Sequence, residues 1–138
     1  MTGPTVVVTD STACLTAERA AAAGIVVVPL QVVIGTDSYT EGTARAQTAL
    51  MAALRRRQPA TTSRPSPEQF AACYRELAEQ GAGGIVSVHL SEQLSATGEA
   101  ARLAAKSAPV PVEVVDSRSL GMGLGYAALT AAEQAAAG

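Results

Sequence analysis

The chain has 138 residues and a net charge of −2, and 48% of its residues are hydrophobic while only 3% are aromatic. This length suits one ordinary domain, which can bury a proper core without metals or disulfides. The balanced charge and the lack of aromatic residues for base stacking argue against nucleic-acid binding. The one basic run, residues 55–57, is typical of the last turn of a helix.

The cysteines and the apolar runs indicate a cytoplasmic protein that does not span a membrane. Cys14 and Cys73 show no metal-binding or redox spacing, so we expect buried free thiols, with no metal and no cofactor. Residues 1–4 lack the features of a signal peptide. The apolar runs at 25–34 and 110–115 are too short to cross a bilayer.

The first half of the chain alternates apolar runs with helical segments. Short β-branched runs of this kind are typical of buried strands. Thr16 is a suitable N-cap, and Gly24 a suitable end, for the first helix. The predicted elements are strands at 5–9, 25–29 and 31–34, helices at 17–23 and 43–57, and a hairpin turn at 35–38.

The second half continues the alternation. Pro59 ends the preceding helix, and residues 60–65 are predicted to be an extended loop. Ser66 begins the next helix with a capping box, and Gly81 ends that helix. Strands are predicted at 85–90 and 112–116, and helices at 95–107 and 119–137. This order predicts a single α/β domain over residues 1–138, with a mainly parallel sheet flanked by helices.

Hydroxyl-rich turns follow several of these strands. They occupy residues 9–12, 61–66, 91–97 and 116–119. The carboxyl ends of parallel strands share one edge of a sheet, so these turns should meet there, where ligands commonly bind. Free backbone N–H groups and hydroxyls favour an anion. Since no lysine lies near the turns, one carboxylate fits better than a multiply charged phosphate.

Hydroxyl side chains in turns also serve as ordinary caps. For Thr16 and Ser66, capping is the better interpretation. For the remaining candidates the residues alone leave both interpretations open; these are Ser63, Ser91, Ser95 and Thr97.

A series of short motifs resembles the DegV family in order and spacing, from about residue 6 to the end. The motifs are Val8-Thr9-Asp10-Ser11-Thr12, Val28-Pro29-Leu30, Tyr39, Thr62-Ser63-Arg64-Pro65-Ser66, Leu90-Ser91, Leu94-Ser95-Ala96-Thr97, Val115-Asp116-Ser117 and Gly121-Met122-Gly123. The resemblance implies the first of two domains, with a C-terminal domain absent here. It also implies binding of a long-chain fatty acid, presented in some members to a fatty acid kinase.

The resemblance also implies roles for particular residues. The carboxylate contacts fall on Thr62 or Ser63 and on Ser95, with support from Ser91 and Thr97. Pocket support is expected from Asp10, Ser11, His89, Asp116, Ser117 and Gly121.

Two positions depart from the family pattern. Ala96 stands where the family usually has glycine, and Glu92 where it often has serine. We expect Ala96 to widen the backbone path slightly and Glu92 to face solvent, because an inward carboxylate would repel the ligand.

Two other classes of function are weaker. A hydrolase needs a serine with a base in reach, and His89, the only histidine, is expected to be structural. No residue is therefore predicted to be catalytic. A nucleotide- or phosphate-binding domain would use a glycine loop, but Gly121, Gly123 and Gly125 lack the required spacing and a lysine.

Overall fold

The computed structural model describes residues 3–138. Within these residues, seven strands, five α-helices and one 3₁₀ turn follow one another. In chain order they are β1 (Thr5–Asp10), the 3₁₀ turn (Ser11–Ala13), α1 (Ala17–Ala23), β2 (Ile25–Val28), β3 (Gln31–Ile34), β4 (Asp37–Thr40), α2 (Ala44–Arg55), β5 (Ala60–Ser63), α3 (Pro67–Glu79), β6 (Gly84–His89), α4 (Thr97–Ala105), β7 (Val112–Asp116) and α5 (Met122–Ala137).

The larger sheet has four parallel strands in the order β2-β1-β6-β7, which confirms the predicted α/β class. Its central strands, β1 and β6, are covered on both faces. On one face Phe70, Tyr74 and Leu77 of α3 pack with α4 against Val8. On the other face Ala128 of α5 packs with α1. Burial on both faces explains why these strands read as continuous apolar runs.

The predicted hairpin turn after the strand at 31–34 is confirmed, since β3 and β4 pair in antiparallel fashion. That this hairpin belongs to a second, separate sheet was not predicted. Its order is β4-β3-β5, and Val32 and Ile34 of β3 pack against Ala53 of α2. The prediction of an extended loop over residues 60–65 is therefore wrong at Ala60–Ser63, which pairs with β3. This strand is largely exposed and has no alternating apolar pattern, so only its pairing with β3 defines it.

Several helix boundaries differ from the prediction. Helix α4 begins at Thr97 rather than at 95, and α5 begins at Met122 rather than at 119. These shifts leave Ser95 and Ser119 in the loops that precede the helices. Within residues 3–138, none of the helices is long and apolar enough to cross a membrane.

The expectation that both cysteines are buried is wrong for Cys14. This residue is exposed and has a left-handed backbone with φ of 56° at the end of the 3₁₀ turn. Cys73 is partly buried, and burial together with the nearby Glu76 raises the pKa of its thiol to about 11. Cys14 therefore lies in an exposed turn, and its side chain does not contribute to the core.

The predicted capping box is present at the start of α3. Ser66 Oγ accepts a hydrogen bond from the Gln69 backbone N–H at 3.2 Å, and Gln69 Oε1 accepts one from the Ser66 N–H at 2.8 Å. We expect Ser66→Ala to lower the free energy of unfolding by about 1 kcal/mol, and Ser66→Gly by only a few tenths. Urea denaturation measures both changes, and equal losses would contradict a capping role.

Candidate functional site

A cleft of about 490 Å³ opens where the ends of β1 and β6 meet the second sheet. We call it the strand-end cleft. Its lining combines hydroxyl groups, one cation, one carboxylate and several leucines. The lining residues are Thr12, Leu30, Glu41, Thr62, Arg64, Leu90, Leu94, Ser95, Ala96 and Leu120.

Two of the predicted ligand residues, Thr62 and Ser95, line this cleft together. Thr62 comes from β5, where it pairs with Val32 of β3. Ser95 comes from the loop between β6 and α4. The turns were expected on one edge of a single parallel sheet, and this is wrong for the turn at 61–66. Thr62 reaches the cleft from the antiparallel sheet instead.

The Ser95 hydroxyl is oriented by Thr97, whose side chain is fully buried. Ser95 Oγ lies 2.8 Å from Thr97 Oγ1 and accepts a hydrogen bond from the Thr97 backbone N–H at 3.2 Å. If Ser95 donated to Thr97, the buried Thr97 hydroxyl would lose its acceptor, at a cost of about 1–3 kcal/mol. Thr97 therefore donates, and the Ser95 proton remains available for an acceptor in the cleft.

Ser63 and Ser91 are not brought into the strand-end cleft. Neighbouring side chains of a strand point to opposite faces, so Ser63 points away from the face of Thr62, and its hydroxyl donates to the Arg64 carbonyl at 3.4 Å. Ser91 Oγ accepts from the Gln93 N–H at 3.2 Å and lines a separate polar cleft with Asp116. Thr97 stands behind Ser95 rather than at the cleft surface.

Asp10 is hydrogen-bonded to two lining residues of the cleft, Thr12 and Leu90. Its side chain is fully buried at the end of β1. One carboxylate oxygen accepts from the Thr12 N–H at 2.9 Å and from the Thr12 hydroxyl at 2.5 Å. The other oxygen accepts from His89 Nδ1 at 2.9 Å and from the Leu90 N–H at 3.2 Å. Burial alone would raise the pKa of Asp10, but the bonds from His89 and Thr12 outweigh it and lower the pKa.

A line of buried side chains continues from Asp10 into the core. His89 Nε2 lies 2.7 Å from Ser87 Oγ, which accepts from the Tyr74 hydroxyl at 2.8 Å. Burial raises the pKa of Tyr74 to about 12, so the phenol keeps its proton and donates. With one ring proton on Nδ1, His89 accepts from Ser87, and every proton in the line has an acceptor. We call Asp10, His89, Ser87 and Tyr74 the buried line.

The buried line contains a serine, a histidine and an aspartate in the order of a hydrolase triad. Sequence reasoning missed it because the bond between His89 and Asp10 joins residues 79 positions apart, although Ser87 and His89 share one strand face. Both side chains have no exposed surface, and neither lines the strand-end cleft. The serine and the histidine are therefore enclosed in the core.

The remaining predicted support residues shape the loops. Ser11 Oγ accepts from the Leu30 N–H at 2.9 Å and donates to Glu41. Asp116 Oδ1 accepts from the Glu92 and Arg118 N–H groups at 3.3 and 2.9 Å. Ser117 Oγ accepts from the Ser119 N–H, and Gly121 begins α5 with φ of 62°.

The two departures from the family pattern are accommodated. Ala96 has φ of −85°, a conformation that needs no glycine. Glu92 is exposed, as expected, and pairs with Arg102 of α4. Its charge is thus directed away from the strand-end cleft.

Arg64 and Glu41 are the charged residues of the cleft that sequence reasoning did not single out. Arg64 lies within the motif of residues 62–66, but that motif was interpreted through its hydroxyl groups and not through its charge. Glu41 follows β4 and carried no motif, but its backbone N–H donates to the Leu30 carbonyl at 2.9 Å. Its position depends on the antiparallel sheet, of which only the hairpin turn at 35–38 was predicted.

Comparison with known proteins identifies relatives over nearly the whole chain. A family model described as "Uncharacterised protein, DegV family" matches residues 4–138. A DegV domain-containing protein of Streptomyces coelicolor is 54% identical over 132 residues, which cover 96% of this chain and 47% of that protein. The chain spans about half the length of the curated relatives it matches.

Two solved structures show the same fold. One, described as fatty acid binding of a DegV family protein from Thermus thermophilus, has a TM-score of 0.90 and 37% identity, over 98% of this chain and 48% of that one. The other, DegV from Bacillus subtilis, is described as a fatty acid binding protein. It has a TM-score of 0.89 and 30% identity, over 99% of this chain and 49% of that one.

The lowered pKa of Asp10 predicts how stability depends on pH. A carboxyl group with a lower pKa in the folded state stabilises the fold above its unfolded pKa, and this contribution is lost as pH falls through the folded pKa. We expect the wild type to be more stable than Asp10→Asn at about pH 6, and the difference to shrink as pH falls below 3.8. Urea denaturation at several pH values, with the exposed Asp37→Asn as control, measures this difference. A difference that stays constant down to about pH 2 would contradict a lowered pKa.

Proposed function

Since the chain belongs to the DegV family, we propose that it binds a long-chain fatty acid and holds the carboxylate in the strand-end cleft. The observation that supports this most is that Thr62 and Ser95 line the same cleft, whose other walls include leucines. The DegV neighbours from Thermus thermophilus and Bacillus subtilis are both described as binding fatty acids.

The charge of the cleft favours a single carboxylate over a phosphate. Arg64 is the one cation among the lining residues that the structure describes, and Glu41 is the one carboxylate. Ser95 offers a proton because Thr97 occupies its acceptor positions. Thr12 offers only lone pairs, since its own proton is donated to Asp10. The carboxylate therefore belongs on the side of Thr62, Arg64 and Ser95.

The leucines provide the surface for an acyl chain. Leu94 and Leu120 are 63% and 53% exposed, although both line the strand-end cleft. Large exposed apolar side chains beside polar groups are typical of a surface that binds an apolar partner. We propose that the acyl chain covers them, together with a C-terminal domain like that expected from the relatives' greater length.

We further propose that the protein is a carrier rather than an enzyme and presents its fatty acid to a fatty acid kinase in the cytoplasm. The family resemblance supports this role. An open cleft that holds one carboxylate by hydroxyl groups also suits a ligand that must be handed on, because few charged contacts resist its release.

The hydrolase alternative would use Ser87, His89 and Asp10. Their full burial opposes it, because a nucleophile must reach the substrate carbonyl. An acyl-ester hydrolysis assay on the wild type and His89→Ala distinguishes the two functions. Turnover that disappears in His89→Ala would overturn the carrier proposal.

The nucleotide alternative would use the glycines before α5. Gly125 has a packing role there, because a Cβ at this position would lie 2.5 Å from the Ala13 carbonyl oxygen. Close contact between α5 and the 3₁₀ turn thus accounts for this glycine without a phosphate.

The protein purified from bacterial cells, without added lipid, should carry a fatty acid. Native mass spectrometry should show a second species heavier by the mass of one fatty acid, and delipidation should remove it. A chain free of lipid that also fails to bind added palmitate would contradict the proposal, as would stabilisation by nucleotide alone.

Removal of the Ser95 hydroxyl should weaken fatty-acid binding. We expect Ser95→Ala to lower the binding free energy of palmitate by about 1–3 kcal/mol, because the carboxylate loses a partner in a partly buried site. Calorimetric titration measures the affinity, with Ser107→Ala as control, because Ser107 is exposed and lies in the turn that follows α4. Unchanged affinity in Ser95→Ala would place the carboxylate elsewhere.

A further inference from the structure

Asp10 lies where strands β1 and β6 separate. The register between the two strands runs from Thr5 opposite Gly84 to Val8 opposite Ser87, two residues before Asp10 and His89. Beyond this point the Asp10 carboxylate replaces the backbone ladder, since it accepts from His89 Nδ1 and the Leu90 N–H. The spacing of the two strand ends is therefore set by a side chain.

The same turn fixes the opposite wall of the strand-end cleft. The second oxygen of Asp10 accepts both hydrogen bonds from Thr12. The adjacent Ser11 binds the Leu30 N–H and Glu41. Residues 10–12 thus include one lining residue of the cleft, Thr12. They contact three others, which are Leu30, Glu41 and Leu90.

Hydrogen bonds also connect Asp10 to the donor Ser95. Leu90, held by Asp10, is followed by Ser91, whose carbonyl accepts from the Ser95 N–H at 3.2 Å and from the Leu94 N–H at 2.9 Å. The loop that carries Ser95 therefore begins at a backbone group that Asp10 fixes. An apolar side chain could fill the place of Asp10 without burying a charge, but it would not orient the groups that Asp10 binds by hydrogen bonds.

We propose that Asp10 is a positioning residue for head-group recognition, which sets Ser95 and the opposite wall of the cleft at the separation that a carboxylate requires. This inference rests on the proposed function. It assigns the triad-like geometry of the buried line to ligand specificity instead of catalysis. His89, Ser87 and Tyr74 hold the carboxylate of Asp10 from the core side.

The test compares palmitate with methyl palmitate, which has the same chain without the anionic head group. The affinity of each is measured by competition against a fluorescent fatty acid, and their ratio is the head-group preference. The variants are Asp10→Asn and Thr12→Val, with Thr12→Ser as the variant that keeps the hydroxyl donated to Asp10. Leu77→Ala, a core change in α3 away from the cleft, serves as the control for lost stability.

We expect Asp10→Asn and Thr12→Val to lower the preference for palmitate about tenfold, the value of one hydrogen bond to a charged group. Thr12→Ser should keep the wild-type head-group preference. Leu77→Ala should lower Tm and leave the head-group preference unchanged. If both variants lower Tm but keep the wild-type preference, Asp10 is structural and the inference is wrong. Should Asp10→Asn not fold, the pair Thr12→Val and Thr12→Ser decides alone. A wild type without any preference overturns the proposed function itself, and this inference with it.

Discussion

The arrangement of the site depends on a charge buried at the point where two parallel strands separate. A carboxylate in the core is costly unless hydrogen bonds replace its water, and Asp10 receives four of them. These bonds hold its pKa down in spite of burial, so the group stays ionised and its acceptor directions are fixed. The strand ends can then part without losing their relative position, and the opening between them becomes the strand-end cleft.

Neighbouring groups fix the direction of the hydroxyls in the strand-end cleft. Both Thr12 and Ser95 have hydroxyl groups, yet Thr12 can only accept a hydrogen bond from a ligand, whereas Ser95 can donate one. Thr12 has donated its proton to Asp10, whereas Ser95 keeps its proton because Thr97 donates to it. A pattern of serine and threonine in a sequence is thus ambiguous until the buried partner of each is known.

Local chemistry made much of the fold predictable. The caps at Thr16 and Ser66 were found because their hydrogen bonds reach only three residues along the chain. The parallel strands were found because burial on both faces demands apolar runs. Strand β5 was missed because it has no such pattern, and its pairing with β3, which carries Thr62 to the cleft, was missed with it.

The candidate site was less predictable for the same reason. Thr62 and Ser95 were expected to act together through a family resemblance, and the structure places them in one cleft. The bond between Asp10 and His89 joins residues 79 positions apart, and no local signal marks such a pair. Arg64 needed the path of β5 before its charge could be placed beside the hydroxyls.

The central claim is that Thr62 and Ser95 share one carboxylate. A crystal structure of the chain with palmitate tests it most directly. The account predicts carboxylate oxygens within about 2.5–3.0 Å of Ser95 Oγ and Thr62 Oγ1, with the acyl chain over Leu94 and Leu120. A carboxylate bound elsewhere, for example in the groove between Arg102 and Lys106, would contradict it.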